Sequence, residues 1–161
     1  MSKILKFMWQ RIQTIFLILA AVVLGLLFAP IMSFFTVSGT QDLVQQSEVN
    51  MLGDGIFNIQ DHIIFSILTI IGILASIAAI FLFKNRTLQL TLSRLTLVMS
   101  ILILILMGVF FYIDYQLITA NSEVSGEFGI LSPVLGIIFS ALAGRGIKKD
   151  SELVRSSDRL R

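Results

Sequence analysis

The chain has 161 residues and a formal net charge of +2, and 56% of its residues are hydrophobic while only 14% are charged. A soluble domain of this length needs more charged residues, because too little polar material would remain to cover its core. The composition therefore argues against a soluble globular protein. The absence of cysteine excludes a disulfide framework and a thiolate metal site.

Four apolar blocks predict an all-α membrane protein with four transmembrane helices. The blocks cover residues 12–31, 63–83, 95–112 and 128–147, and none has a charged residue near its centre. About twenty helical residues cross the roughly 30 Å hydrocarbon layer, and the blocks lack the alternation of barrel strands. The first block is too long for a cleaved signal peptide, so we interpret it as an uncleaved helix. A transmembrane domain is therefore expected over residues 1–147.

The distribution of charge predicts that both termini lie in the cytoplasm. All twelve basic residues precede the first block, separate the second from the third, or lie at the end of the fourth block or after it. The two outer loops, residues 36–61 and 114–127, hold seven acidic residues and no basic one. Because cytoplasmic loops are enriched in Lys and Arg, this split sets the orientation. Nucleic acid is not expected as a partner, since the basic residues lack interleaved aromatic side chains.

The two outer loops carry weaker signals. Gly53-Asp54-Gly55, followed by alternating residues 56–60, predicts a short hairpin. The second outer loop is expected to continue the third helix and to end in a polar turn over residues 121–126. We interpret His62 as an interfacial residue that follows an Asp61 helix cap, because no further metal ligands accompany it.

The predicted spans contain no residue that indicates catalysis or ion-coupled transport. An ionisable side chain at bilayer depth costs at least about 2.5 kcal/mol and is kept only for a use, and none lies in mid-span. Serine and threonine in the spans can bond to their own helix backbone and need no catalytic role. We therefore expect no catalytic residue, no cofactor and no metal site.

Small residues recur at four-residue steps in two of the predicted helices. The predicted helix-packing residues are Ala21, Gly25 and Ala29 in the first block and Ser132, Gly136, Ser140 and Gly144 in the fourth. Helices in lipid associate by close packing, which small residues allow. We interpret both stripes as packing surfaces within one bundle, with a homo-oligomer or membrane-protein partner as the alternative.

Residues 148–161 form a tail of different character. Charged residues at helical spacing and apolar residues on one broad face predict a short cytoplasmic amphipathic helix, which extends the fourth span or folds along the membrane. Arg155, Arg159 and Arg161 exceed what orientation requires. We therefore predict that they contact lipid or a protein partner. A solvated helix held by its own ion pairs is the alternative.

Three stretches of the chain resemble a known family. They are residues 9–14 (WQRIQT), the connection at residues 84–89, and residues 147–161. Together they resemble domain of unknown function 4293, a family of small bacterial membrane proteins, over essentially the whole chain. The resemblance implies four membrane helices and an inner-membrane location. It implies no activity and no catalytic residues.

The leading hypothesis is a non-enzymatic accessory or scaffold subunit in the lipid bilayer, which engages lipid or a partner through its tail. The alternative is a small transporter or channel with a polar path of Ser and Thr. A water-filled cavity lined by Ser66, Thr69 or Ser76 would favour the alternative, whereas a solid core would favour the scaffold.

Overall fold

The structure, a computed structural model, describes residues 3–38, 55–115 and 123–158. Its main elements are four helices, α1 (Lys3–Leu26), α2 (Ile63–Phe81), α3 (Arg86–Tyr115) and α4 (Leu131–Asp158). Consecutive helices pack side by side and α4 returns to α1, so each helix packs against two neighbours. The prediction of a mainly helical protein is confirmed.

The ends of the helices differ from the ends of the apolar blocks. α1 ends at Leu26 rather than at residue 31, and the N–H groups of Leu27, Phe28 and Ala29 bond three residues back, at 3.2, 3.1 and 2.9 Å. Such tight turns close a helix just before a proline, here Pro30, which lacks an N–H and disfavours helix in the residue before it.

α3 and α4 are longer than their apolar blocks because polar residues also adopt helix. α3 begins at Arg86 rather than near residue 95, and the Asn85 Oδ1 atom accepts a hydrogen bond from the Leu88 N–H at 3.3 Å. α4 continues past residue 147 to Asp158 without a break. The predicted tail helix is therefore an extension of α4 as far as it is described. A turn of 3₁₀ helix, Phe128–Ile130, precedes α4.

All four helices bury residues at steps of three and four, which alternate throughout except at the start of α4. This spacing is typical of left-handed, coiled-coil-like bundles, in which one stripe of each helix faces the centre. The buried stripes are Gln13, Leu17, Ala20 and Leu24 on α1, continued by Leu27 just after it, Phe65, Thr69, Gly72, Ser76 and Ala79 on α2, Gln89, Ser93, Thr96, Ser100, Ile103 and Met107 on α3, and Ser132, Gly136, Ser140, Ala143, Ile147 and Asp150 on α4. Many of these residues are small or polar.

A three-stranded antiparallel sheet closes one end of the bundle, which we call the sheet end. Its strands are β1 (Phe35–Ser38), β2 (Ile56–Phe57) and β3 (Glu123–Gly126), in the order β2-β1-β3. The polar turn predicted over residues 121–126 is thus replaced by a strand from Glu123 onward, because β1 offers a second edge whose backbone groups require partners.

β1 and β2 pair as antiparallel strands, although residues 39–55 separate them in the sequence. The hairpin predicted at Gly53-Asp54-Gly55 would instead pair residues 56–60 with the segment just before the turn, which lies outside the described residues, so it stays a prediction. Gly55 has a φ of 74°, the left-handed conformation that glycine adopts without strain. Residues 53 and 54 of the predicted turn lie outside the described residues.

Large apolar side chains face outward over much of the bundle. Ile63 is 75% exposed, Phe81 76% and Leu74 59%. Three described helices, Ile63–Phe81, Arg86–Ile113 and Phe128–Leu153, are long and apolar enough to cross a membrane, while the apolar helix Ile12–Leu26 is shorter. Such exposure is stable in lipid and unfavourable in water, so the described helices are compatible with a membrane protein.

Candidate functional site

A seam of hydroxyl groups runs through the interior of the bundle and joins the helices. The Ser93 Oγ–H on α3 donates to the Ser140 carbonyl on α4 at 3.0 Å, and the Ser132 Oγ–H on α4 donates to the Val23 carbonyl on α1 at 2.9 Å. Each such bond is worth about 0.6 kcal/mol in a membrane. Their main effect is to fix which faces of the helices meet.

The seam continues onto α2 through Thr96. Its Oγ1 lies 3.3 Å from the Gly72 carbonyl on α2, 3.2 Å from the Leu92 carbonyl of its own helix and 3.4 Å from the Ser76 Oγ atom. The hydroxyls of Ser76 and Thr96 are therefore occupied by groups of the protein. Thr69 lies about one turn before Gly72 on α2, toward the sheet end. It is fully buried, and its Oγ1 has no hydrogen-bond partner among the described residues.

The two predicted small-residue stripes differ in what they contact. At Gly136, an added Cβ would lie 2.8 Å from the Ser100 Oγ atom and 3.3 Å from the Leu24 Cδ2 atom, so α4 approaches α3 and α1 closely there. Gly144 would make only an ordinary contact, at 3.5 Å from Ser93 Oγ, whereas Gly25 faces open space.

The other small residues follow the same division. On α4, Ser132 and Ser140 are buried, while Ala21 and Ala29 on α1 are only half-buried. The predicted packing residues of α4 therefore contact α3 and α1. The predicted packing residues of the first block are not the ones that α1 buries, because its buried stripe consists of other residues.

The end opposite the sheet is strongly basic, and we call it the basic end. It carries the described cations of the α2–α3 connection and of the neighbouring turns of α3 and α4, namely Lys84, Arg86, Arg94, Arg145, Lys148 and Lys149. The acidic residues of the sheet end include Asp61, Glu123 and Glu127. The charge split seen in the sequence thus becomes a split between the two ends of one bundle.

An ion pair connects α3 to α4 at the basic end. Arg86 Nη1 lies 3.0 Å from Asp150 Oδ2, and it also donates to the Asp150 backbone carbonyl at 2.8 Å. The Asp150 side chain is 6% exposed and that of Arg86 is 26% exposed. By contrast, Lys148 and Glu152 are 3.9 Å apart and well exposed. The first pair therefore holds the α4 extension against α3, while the second contributes little.

Two partly open cavities flank α4 at the basic end. One, of about 190 Å³, lies between α1 and α4 and is lined by Ile12, Gln13, Phe16, Leu142, Arg145, Gly146 and Lys149. The other, of about 250 Å³, lies between α3 and α4 and includes Arg94, Ser140, Arg145 and Lys148. Both combine apolar walls with cations. Neither is lined by Ser66, Thr69 or Ser76.

At the sheet end, His62 has a packing role. Its ring stacks on Phe110 with centroids 4.4 Å apart. The predicted Asp61 helix cap is wrong. His62 itself precedes the first turn of α2 without a side-chain cap bond, and Asp61 Oδ2 instead accepts the Asn58 N–H at 2.6 Å within the preceding turn. Among the described residues, no group of three or more His, Cys, Asp or Glu could hold a metal ion.

The predicted contact residues of the tail are only partly within the described chain. Arg155 lies on the last turns of α4, and Arg159 and Arg161 lie outside the described residues. The sequence analysis did not identify the Arg86–Asp150 pair or the α3 hydroxyls. The signal for the hydroxyls was present as the heptad spacing of Gln89, Ser93, Thr96 and Ser100.

Comparison with protein families finds a match over most of the chain. The family model DUF4293, described as a domain of unknown function, matches residues 9–160. No curated protein and no solved structure matches the chain.

Proposed function

We propose that the chain, which belongs to the DUF4293 family, is a four-span bacterial inner-membrane protein with both termini in the cytoplasm, and that it acts as a non-enzymatic accessory or scaffold subunit. The observation that carries the proposal is the wide outer surface of exposed large apolar side chains, which encloses an interior where buried Ser and Thr hydroxyls lie among apolar residues. Such a bundle is stable only when lipid or another membrane helix covers its surface.

The length of α1 supports a fourth span. The whole of α1, with 24 residues, is about 36 Å long. Its apolar part, Ile12–Leu26, covers about 22 Å, so crossing a hydrocarbon layer of roughly 30 Å also uses the apolar residues 27–31 that follow it. Because α1 packs antiparallel to α2 and α4, a bilayer that accommodates the other three helices also accommodates α1. The basic end would then lie at the cytoplasmic leaflet, as the enrichment of cytoplasmic loops in Lys and Arg requires.

The closed interior favours a scaffold over a transporter or an enzyme. The hydroxyls of Ser76, Thr96, Ser100 and Ser140 bond to helix backbones or to one another. The apolar blocks contain no charged residue in mid-span that could move an ion or a proton. A transporter remains the alternative, and the unpartnered hydroxyl of Thr69 is the observation that favours it.

The continuous α4 suggests how the tail would be used. Residues 148–158 extend the helix by about 16 Å, and the Arg86–Asp150 pair fixes the base of this extension. A fixed helix presents its charged residues in a constant arrangement, so little conformational entropy is lost on binding. We therefore propose that Arg155, Arg159 and Arg161 contact the leaflet or a membrane protein.

The test replaces Arg155, Arg159 and Arg161 together with Gln. A matched variant with Lys at the same positions keeps the charge but not the planar guanidinium. Vesicle binding is measured with a peptide of the tail sequence. If three basic residues each contribute about 1 kcal/mol at an anionic leaflet, the Gln peptide should bind phosphatidylglycerol vesicles far more weakly, and the Lys peptide should bind nearly normally. A protein partner would instead be lost from the purified complex in both variants. Unchanged vesicle binding and unchanged co-purifying proteins would contradict the role of the tail.

Topology is measured separately with reporter fusions. Fusions after Arg161 and within residues 84–86 should report cytoplasm, and fusions within residues 36–61 should report the outside. A single reversed fusion would exclude the four-span arrangement.

A further inference from the structure

The cavity between α1 and α4 has the composition of a site for an amphiphile. Ile12, Phe16 and Leu142 supply apolar walls, and Arg145 and Lys149, one helical turn apart on α4, supply two cations at the same opening. Its volume of about 190 Å³ is below the roughly 300 Å³ of a pocket that encloses a whole small molecule. It therefore suits one charged group and the first part of an apolar chain.

A buried donor without a partner lies in the wall of this cavity. Gln13 is 4% exposed, and its Nε2 has no hydrogen-bond partner among the described residues. A buried donor without a partner is unfavourable, so a group that accepts from it would be bound more tightly. The last side-chain torsion of Gln is broad, which allows the amide to adjust toward such an acceptor.

Gly146 allows Gln13 to occupy this position. A Cβ at residue 146 would lie 2.8 Å from Gln13 Cγ and 3.4 Å from Gln13 Nε2. Gly146 on α4 therefore lies at the point where the side-chain amide of Gln13, on α1, reaches the cavity. Gln13 thus lines the same cavity as Arg145, Lys149 and the apolar side chains.

We infer that this cavity binds the phosphate group of an anionic phospholipid taken from the surrounding leaflet. Arg145 and Lys149 neutralise the phosphate, and the Gln13 amide donates to one of its oxygens. Ile12 is 44% exposed and Leu19, two turns further along the same face of α1, is 37% exposed, so the acyl chain continues along the outer surface of the bundle. The inference rests on the proposed membrane location of the bundle and does not depend on the tail.

The experiment uses the full chain purified in a zwitterionic detergent and titrated with dioleoyl phosphatidylglycerol. Binding is measured from bound lipid in native mass spectrometry. Phosphatidylcholine with the same acyl chains tests for the anionic headgroup, and glycerol phosphate tests for a soluble phosphate. If each cation contributes about 1 kcal/mol, the anionic lipid should bind at least about fivefold more tightly than the zwitterionic lipid. Glycerol phosphate should not compete at the same concentrations.

Variants then locate the site. Lys149→Gln and Gln13→Leu should each weaken binding of phosphatidylglycerol by about fivefold or more. The matched control is Lys148→Gln. Lys148 is the neighbour of Lys149 in the sequence but lines the other cavity, so removing its charge should change the affinity by less than about twofold. Because Lys149 is exposed, its variant remains informative if Gln13→Leu does not fold.

Three outcomes would overturn the inference. Because both lipids carry a phosphate, equal affinity for the two would exclude selection of an anionic headgroup and overturn the proposed anionic lipid. Equal losses for Lys148→Gln and Lys149→Gln would reduce the site to a general basic surface. Competition by glycerol phosphate would assign the site to a soluble anion. These results are independent of the reporter fusions, so a failed lipid site and a failed topology can be told apart.

Discussion

Separating Arg86 from Asp150 should destabilise the bundle more than any exposed ion pair can. Asp150→Asn removes the 3.0 Å charge contact but leaves the 2.8 Å bond from Arg86 to the backbone carbonyl of residue 150. Removing one partner of a buried pair costs about 3–5 kcal/mol. Since Arg86 is 26% exposed and keeps the carbonyl bond, we expect the lower end, about 3 kcal/mol.

The assay is equilibrium unfolding in mixed micelles with a rising fraction of dodecyl sulfate, followed by circular dichroism. Arg86→Gln, Asp150→Asn and the double variant form a cycle, and the coupling energy should exceed about 1 kcal/mol. Lys148→Gln is the matched control, because its 3.9 Å pair with Glu152 is exposed and should contribute less than about 0.5 kcal/mol. A coupling energy between Arg86 and Asp150 below about 0.5 kcal/mol, within the range of exposed pairs, would show that the pair does not hold α4 to α3.

Three further predictions concern the interior and the sheet end. Gly136→Leu should lower the free energy of unfolding by about 2 kcal/mol or more through overpacking. Gly25→Leu places its side chain in open space and should raise the free energy of unfolding by up to about 1 kcal/mol. Equal effects in the same unfolding assay would contradict the close approach of α4 to its neighbours at Gly136. Thr69→Val should raise the melting temperature because it removes an unpartnered hydroxyl, and a lower value would mean that the hydroxyl binds water or a solute. His62→Ala should cost about 0.5–1.5 kcal/mol by removing the stack on Phe110, while His62→Phe should be nearly neutral, and a similar loss in both variants would indicate that the imidazole has a chemical role.

The helical character of the protein followed from the apolar blocks, but the composition of its core did not. In a soluble protein the largest apolar residues mark the buried face, whereas here Ile63 and Leu74 are exposed and Ser93 and Thr96 are fully buried. Lipid removes the hydrophobic driving force between helices, so close packing and hydroxyl bonds decide which face turns inward. The spacing of small and polar residues carried that information, and it was recognised in α4 but not in α3.

Long-range pairings were beyond what the sequence could indicate. Asp150 was assigned to a tail because it follows the last apolar block, and its partner lies 64 residues earlier. The strand Glu123–Gly126 has only four residues and none of the strong alternation that identifies a strand. Its conformation comes from the edge of β1, which only the folded bundle brings near it.

The strand order at the sheet end also constrains how the protein is assembled. β1 follows the first helix and pairs with β3, which follows the third, so Thr36 and Ser125 meet across 89 residues of sequence. Pairings of such separation form late, because a long intervening segment must first be arranged. Until β3 arrives, β1 therefore exposes an open strand edge that other extended chains can join. In the four-span arrangement proposed above, β3 reaches β1 only after α3 has crossed the bilayer, so a finished sheet would be a record of that crossing.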